Sequence, residues 1–92
     1  MPALQHFTAP RFWRAYNELP QQIRDQADKQ FTLLKDNPRH PSVQFKKIRE
    51  KDGVELWSAR VTENYRALAV KRPSDFWWFW IGDHKTYDSL IS

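Results

Sequence analysis

The hydrophobic pattern of this 92-residue chain changes period once, at Pro41, and that switch constrains the fold more than any other feature. Before it, large apolar residues recur every three or four positions. Phe12, Tyr16 and Leu19 form one such set; Ile23, Ala27, Phe31 and Leu34 form a second, with Gln, Arg, Asp and Lys on the other faces. Thr8 or Ala9 followed by Pro10 suits a helix entry, because proline is pre-set for the first turn. Leu19-Pro20 separates the two sets, since the residue before a proline is pushed out of the α region. Pro20 then opens a second helix and Asn37-Pro38 stops it, which predicts two antiparallel helices joined by a tight corner.

Beyond Pro41 the alternation has period two. Val43, Phe45 and Lys47 alternate with Gln44, Lys46 and Ile48, and Asp52-Gly53 is a turn signal. Strands are predicted over Glu55–Val61 and Tyr65–Lys71, around turn residues Thr62-Glu63-Asn64. Pro73-Ser74-Asp75 makes another turn, and Phe76–Ile81 is an intensely aromatic strand broken by Gly82-Asp83. The tail, His84 to Ser92, reads as a short helix or an irregular cap, and residues 3–7 as a short first strand. Helices followed by an antiparallel meander predict an α+β fold, with two N-terminal helices on one face of a twisted antiparallel sheet of about four strands. The chain holds no repeat, linker or low-complexity tract, so residues 1–92 read as one domain.

A core this small is marginal. Five Trp, six Phe and three Tyr compensate, since each ring buries roughly 150–250 Å². The chain has no Cys, which removes disulfides and thiolate metal sites and points to a reducing compartment. Met-Pro-Ala-Leu-Gln-His lacks the basic and apolar regions of a signal peptide, and no run approaches the roughly 18 apolar residues of a membrane span. A soluble, cytoplasmic protein is the expectation.

Fifteen Lys and Arg against eleven Asp and Glu give a net charge of +4 and suit a polyanionic partner. The cations gather in the strand half, at Lys46, Lys47, Arg49 and Lys51, then at Arg60, Arg66, Lys71 and Arg72. On one sheet face they would form a phosphate-binding patch; on an edge they would only keep strands from pairing. Arg66 stands in mid-strand, where ordinary packing prefers an apolar residue. His84 and Tyr87 follow the last strand three residues apart, where a chain end can fold back over the same face. An imidazole can act as acid or base, and a phenol ring can stack on a base. Half of the Phe76-Trp77-Trp78-Phe79-Trp80 rings must face the helices; the other half are core, partner-binding surface or a stacking platform. His6, His40 and His84 have no metal-ligand spacing, no glycine-rich phosphate loop or nucleophile elbow exists, and no cofactor is implied.

Several segments resemble the RelE/ParE toxins of type II toxin–antitoxin systems, and in particular their YoeB-like branch. Trp57-Ser58-Ala59-Arg60-Val61-Thr62-Glu63-Asn64-Tyr65-Arg66-Ala67-Leu68 resembles the central hairpin, and Trp80-Ile81-Gly82-Asp83-His84-Lys85-Thr86-Tyr87 the last strand and catalytic tail. The Leu19-Pro20 corner, the Asn37-Pro38 stop and Phe45-Lys46-Lys47-Ile48 come in the same order, so the resemblance spans residues 8–90. It implies a toxin neutralised by a cognate antitoxin in a hetero-oligomer, and for many members metal-independent cleavage of mRNA on the ribosome. Carried over, Arg66 is the hairpin arginine at the scissile phosphate, and Lys47 and Arg49 are basic positions on the preceding strand. His84 falls at a catalytic Arg or His position and Tyr87 at a tail tyrosine. Lys46 joins the RNA-binding set by neighbourhood, and Arg60 matches the YoeB-like branch alone. A two-residue hairpin turn would put Arg60 and Arg66 on opposite faces. Ala59 departs from a basic position of some members, and the branch's acidic base has no clear counterpart, Glu50 being a neighbour only. The reading favoured is a ribosome-dependent mRNA endonuclease. The alternatives are a ParE-type inhibitor of DNA gyrase and a non-toxic member that binds its partner or regulates its operon.

Overall fold

The computed structural model describes residues 4–92; Met1, Pro2 and Ala3, which begin the segment read above for a leader and the predicted 3–7 strand, lie outside the described residues. The elements run β1 (Gln5–Thr8), α1 (Pro10–Asn17), α2 (Gln21–Asp36), β2 (Lys46–Lys51), β3 (Val54–Thr62), β4 (Tyr65–Arg72), β5 (Asp75–Asp83) and α3 (His84–Ile91). Pro10 occupies the first turn of α1, while Pro20 stands just before α2 as its cap rather than within it. Asn37 ends α2: its N–H donates to the Leu33 carbonyl at 2.8 Å and its side chain accepts from the Arg39 N–H at 3.1 Å. The Asp52-Gly53 turn has φ of 53° and 80°, the left-handed pair that a two-residue hairpin demands.

The strands form one five-stranded sheet in the order β1-β5-β4-β3-β2. This corrects the four-strand antiparallel expectation. β1 adds a fifth strand, parallel to β5, with Gln5 opposite Asp75 and Thr8 opposite Trp78. Four residues of mixed polarity carry no alternation long enough to declare a partner, and parallel pairing across the whole chain has no local signal. Bulges at Ile48, Val61 and Phe79 shift the three antiparallel registers.

α1 packs on β5 and α2 on β3. Beneath them Ala59, Val61, Ala67, Ala69, Trp78 and Ile81 form the sheet's half of the core, with Leu19 and Leu34 above. The core-facing stripe of α2 keeps Ile23, Ala27 and Leu34 and differs from the predicted one around Phe31, with Leu33 also packed against the core. Gln30 is 6% exposed and lies inside it, whereas Phe31 is 36% exposed at its margin.

His6 ties β1 to this core. Its ring stacks on Phe76 and meets Phe31 edge-on, both at 5.5 Å between centroids. The Trp78 indole N–H donates to His6 Nδ1 at 3.0 Å, and since indole only donates, Nδ1 must be unprotonated. Burial, reinforced by the Lys35 ammonium, lowers the His6 pKa below the ordinary value of 6.5. The unfolded chain therefore takes up a proton near pH 6.5 that the folded chain refuses, so this contribution to stability is complete above that pH and shrinks below it. The urea midpoint is expected to fall between pH 7.5 and 5, and the fall to be smaller in His6→Phe. An equal pH slope in both proteins would remove His6 as its source.

Candidate nucleic-acid interface

The sheet face turned away from α1 and α2 is defined by register. Ala59 and Ala67 are cross-strand partners that point into the core, so the next pair, Arg60 and Arg66, points to the opposite face. The turn itself has two residues, Glu63 and Asn64, yet the arginines share a face. The bulge at Val61 is the reason: one extra residue in β3 restores the alternation that the short turn would have broken. The sequence expectation of opposed arginines for such a turn is thereby corrected.

Lys46 pairs with Ser58 and Arg49 with Leu56, which puts both cations on the Arg60–Arg66 face. Lys47 does not join them. It pairs with Trp57, whose ring belongs to the helix side, and its ammonium holds Glu50 at 3.1 Å. That hydrogen bond raises the Lys47 pKa above the ordinary lysine value. Glu50, the neighbourhood candidate for a base, is thus turned away from the arginines as well. The bulge at Ile48 splits the basic run between two faces, which alternation alone cannot reveal.

Arg66 is held by the turn it follows. Its Nη1 donates to the Thr62 carbonyl at 2.6 Å, the Tyr65 carbonyl at 3.0 Å and the Glu63 carbonyl at 3.3 Å. The guanidinium plane is therefore fixed in advance, with Nη2 and Nε as its remaining donors. The same turn receives α3. The His84 N–H donates to the Asn64 carbonyl at 2.7 Å, so the first residue of α3 and the Arg66 head meet at one end of the sheet. Asp83 caps α3 by accepting from the Thr86 N–H at 2.8 Å, and that bond lowers its pKa below the usual carboxylate value.

α3 folds over the basic face, as a regular helix and not an irregular cap. It contacts β4 and β5, and Arg49 donates through Nη2 to the Ile91 carbonyl. Leu68, on the same face as Arg66, is 1% exposed beneath this layer, and Tyr87 is 6% exposed. Tyr87 stacks on His84 with ring centroids 5.7 Å apart and planes 19° from parallel. This corrects the expectation that Tyr87 receives a base: its ring is the support under His84, and the imidazole is the exposed partner. His84 Nε2 lies 3.6 Å from the Asp88 carboxylate one helical turn on.

The aromatic strand divides as alternation requires, with one displacement. Phe76 and Trp78 enter the core; Trp77 lies under the Arg72 guanidinium at 4.8 Å, and Phe79, at the bulge, under that of Arg11 at 5.3 Å. Trp80 pairs with Leu68 and lies over Gly82, the cross-strand neighbour of Arg66. A Cβ on Gly82 would sit 2.4 Å from the indole, so glycine there is what lets Trp80 lie flat beside the arginine. Sequence reasoning passed over Gly82 as a mere strand breaker, and over Gln30, whose seven-residue spacing from Ile23 and four-residue spacing to Leu34 were the signals available. Among the described residues no three His, Asp or Glu side chains gather as a metal site, and no helix is long and apolar enough to cross a membrane.

Solved structures share this fold at low sequence identity. The RelB–RelE antitoxin–toxin complex of Methanococcus jannaschii superposes with a TM-score of 0.70 at 14% identity, over 94% of this chain and 99% of that one. The archaeal RelE–RelB complex of Pyrococcus horikoshii OT3 gives 0.67 at 13%, over 87% and 93%. The isolated E. coli RelE toxin gives 0.60 at 15%, over 97% and 96%. The architecture is therefore that of the RelE-like toxins. A search of curated proteins gives no match. The chain belongs to the family of the ParE-like toxin domain, within the RelE/ParE superfamily; the family match runs over residues 21–89, from the start of α2 into α3.

Proposed function

We propose that this protein is the toxin of a type II toxin–antitoxin pair and cleaves mRNA on the ribosome without a metal ion. The observation that carries the reading is the Arg60–Arg66 cross-strand pair at the end of the sheet where α3 presents His84. In the reaction the ribose 2′-oxygen forms a bond to phosphorus while the bond to the 5′-oxygen breaks. One proton leaves the 2′-hydroxyl and another reaches the departing oxygen. His84 takes one of these transfers, its ring held by Tyr87. The pre-oriented Arg66 guanidinium, with Arg60 beside it, meets the charge that grows on the phosphorane oxygens. Lys46 lies on the same face, where a flanking phosphate would run, while the end of α3 engages Arg49 through the Ile91 carbonyl.

The antitoxin has a suitable seat on the opposite side. A groove of about 870 Å³ beside α2 is lined by Phe7, Phe31, Phe45, Trp57 and Phe76, with Lys35, Arg39 and Lys71 at its rim. Aromatic walls with a basic rim suit an apolar segment flanked by acidic residues. A second reading, inhibition of DNA gyrase, draws support from the ParE-like family match.

Adding purified protein to a translating extract separates the two. Primer extension is expected to reveal new mRNA 5′ ends with the intact protein and none with His84→Ala. Supercoiling by gyrase is expected to proceed unaltered. Blocked supercoiling with uncut mRNA would overturn the nuclease reading.

A further inference from the structure

The bulge that places Arg60 beside Arg66 is held by contacts from outside the hairpin. A two-residue turn without a bulge would pair Arg60 with Ala67, on the core side of the sheet. Inserting Val61 avoids this, and in that register the Arg60 N–H and carbonyl face away from β4. Both are satisfied by groups outside the hairpin. The Arg60 N–H donates to the Val43 carbonyl at 2.6 Å, and the Arg60 carbonyl accepts from Gln30 Nε2 at 3.0 Å. The same amide nitrogen donates its second hydrogen to the Ser42 carbonyl at 3.0 Å. Because both partners are carbonyls, the nitrogen and not the oxygen of Gln30 must face them. Gln30 is 6% exposed, the one polar side chain of α2 within the core stripe.

We infer that Gln30 is a positioning residue for the basic face: by holding the Ser42 and Arg60 carbonyls it fixes the bulged register that turns Arg60 toward Arg66. The inference rests on the RNA reading only for its functional consequence, and the register itself is open to direct measurement. Gln30→Met keeps the length and removes both donations. Backbone NOEs are expected to show Arg60 opposite Arg66 in the parent protein and to lose that pairing, toward Arg60 opposite Ala67, in the variant. Binding of a single-stranded RNA oligonucleotide as a function of salt supplies the second readout. Arg60→Ala is expected to lower the slope of log K against log salt by about 0.7, the value of one phosphate contact on a single strand. Gln30→Met is expected to match it, and the double variant to bind no more weakly than Arg60→Ala alone.

An additive loss in the double variant would mean general loosening and would overturn the inference, as would unchanged 60–66 NOEs in Gln30→Met. Should the apolar variant not fold, Gln30→Asn, which keeps an amide but shortens its reach, undergoes the same measurements with the same deciding outcomes. If Arg60→Ala and Arg66→Ala both bind RNA like the parent, the RNA reading fails, while the NOE pattern still decides the role of Gln30.

Discussion

Arg66→Ala is expected to abolish growth arrest on expression and to slow mRNA cleavage by about 10²–10³-fold, the usual loss when one pre-oriented donor to a developing oxyanion is removed. The side chain's own hydrogen bonds make the test a demanding one. Nη1 serves the carbonyls of Thr62, Glu63 and Tyr65, so truncation also loosens the β3–β4 turn. Those carbonyls border solvent and can be hydrated, and the stability cost should stay near 1 kcal/mol, too little to unfold the domain. Arg66→Lys separates charge from geometry. It keeps the cation but not the planar fork, and should recover oligonucleotide binding more than cleavage. A folded Arg66→Ala protein that still arrests growth would refute the assignment.

The largest loss of stability is expected at Trp78. The residue is 3% exposed at the centre of β5, under α1, and its indole N–H holds His6 across to β1. Trp78→Ala should cost about 3–5 kcal/mol through lost burial and the cavity left behind. Set against the roughly 5–15 kcal/mol of a typical domain, that leaves little reserve. Chemical denaturation should show a much lower midpoint, and amide exchange should show β1 losing protection before β3 and β4. Trp78→Phe, which keeps a ring but no donor, separates the two contributions: most of the stability returns, while the β1 amides stay less protected than in the parent. A midpoint for Trp78→Ala close to that of the parent would place the core elsewhere.

Elements whose signals are local were legible in advance. Pro10, Pro20 and Asn37-Pro38 bracket the helices because their effect acts on the adjacent residue, and Asp52-Gly53 marks its turn for the same reason. The strands around Tyr65 to Lys71 and Phe76 to Ile81 were read to within one or two residues of their observed ends, since turns bound them on each side. What escaped depends on partners distant in sequence. Beside the bulge at Val61 the Arg60 backbone is met by Gln30 and Val43, and neither lies near the hairpin. The division of Lys46 and Arg49 from Lys47 turns on another bulge, and the burial of Tyr87 on where α3 comes to rest. The identity of the basic residues was therefore readable, whereas their sidedness was not.

The placement of β1 also bears on the order of assembly. Gln5 pairs with Asp75 and Thr8 with Trp78, so β1 borders a strand made some seventy residues later. Until β5 has emerged from the exit tunnel, β1 has no neighbour to bond with, and its His6 has no Phe76 or Trp78 to rest against. The β3–β4 hairpin, by contrast, closes over a two-residue turn and can form as soon as it is made. Loop closure over most of the chain is the slow step such a topology imposes. The nascent chain would thus present its paired arginines before its amino-terminal edge is sealed.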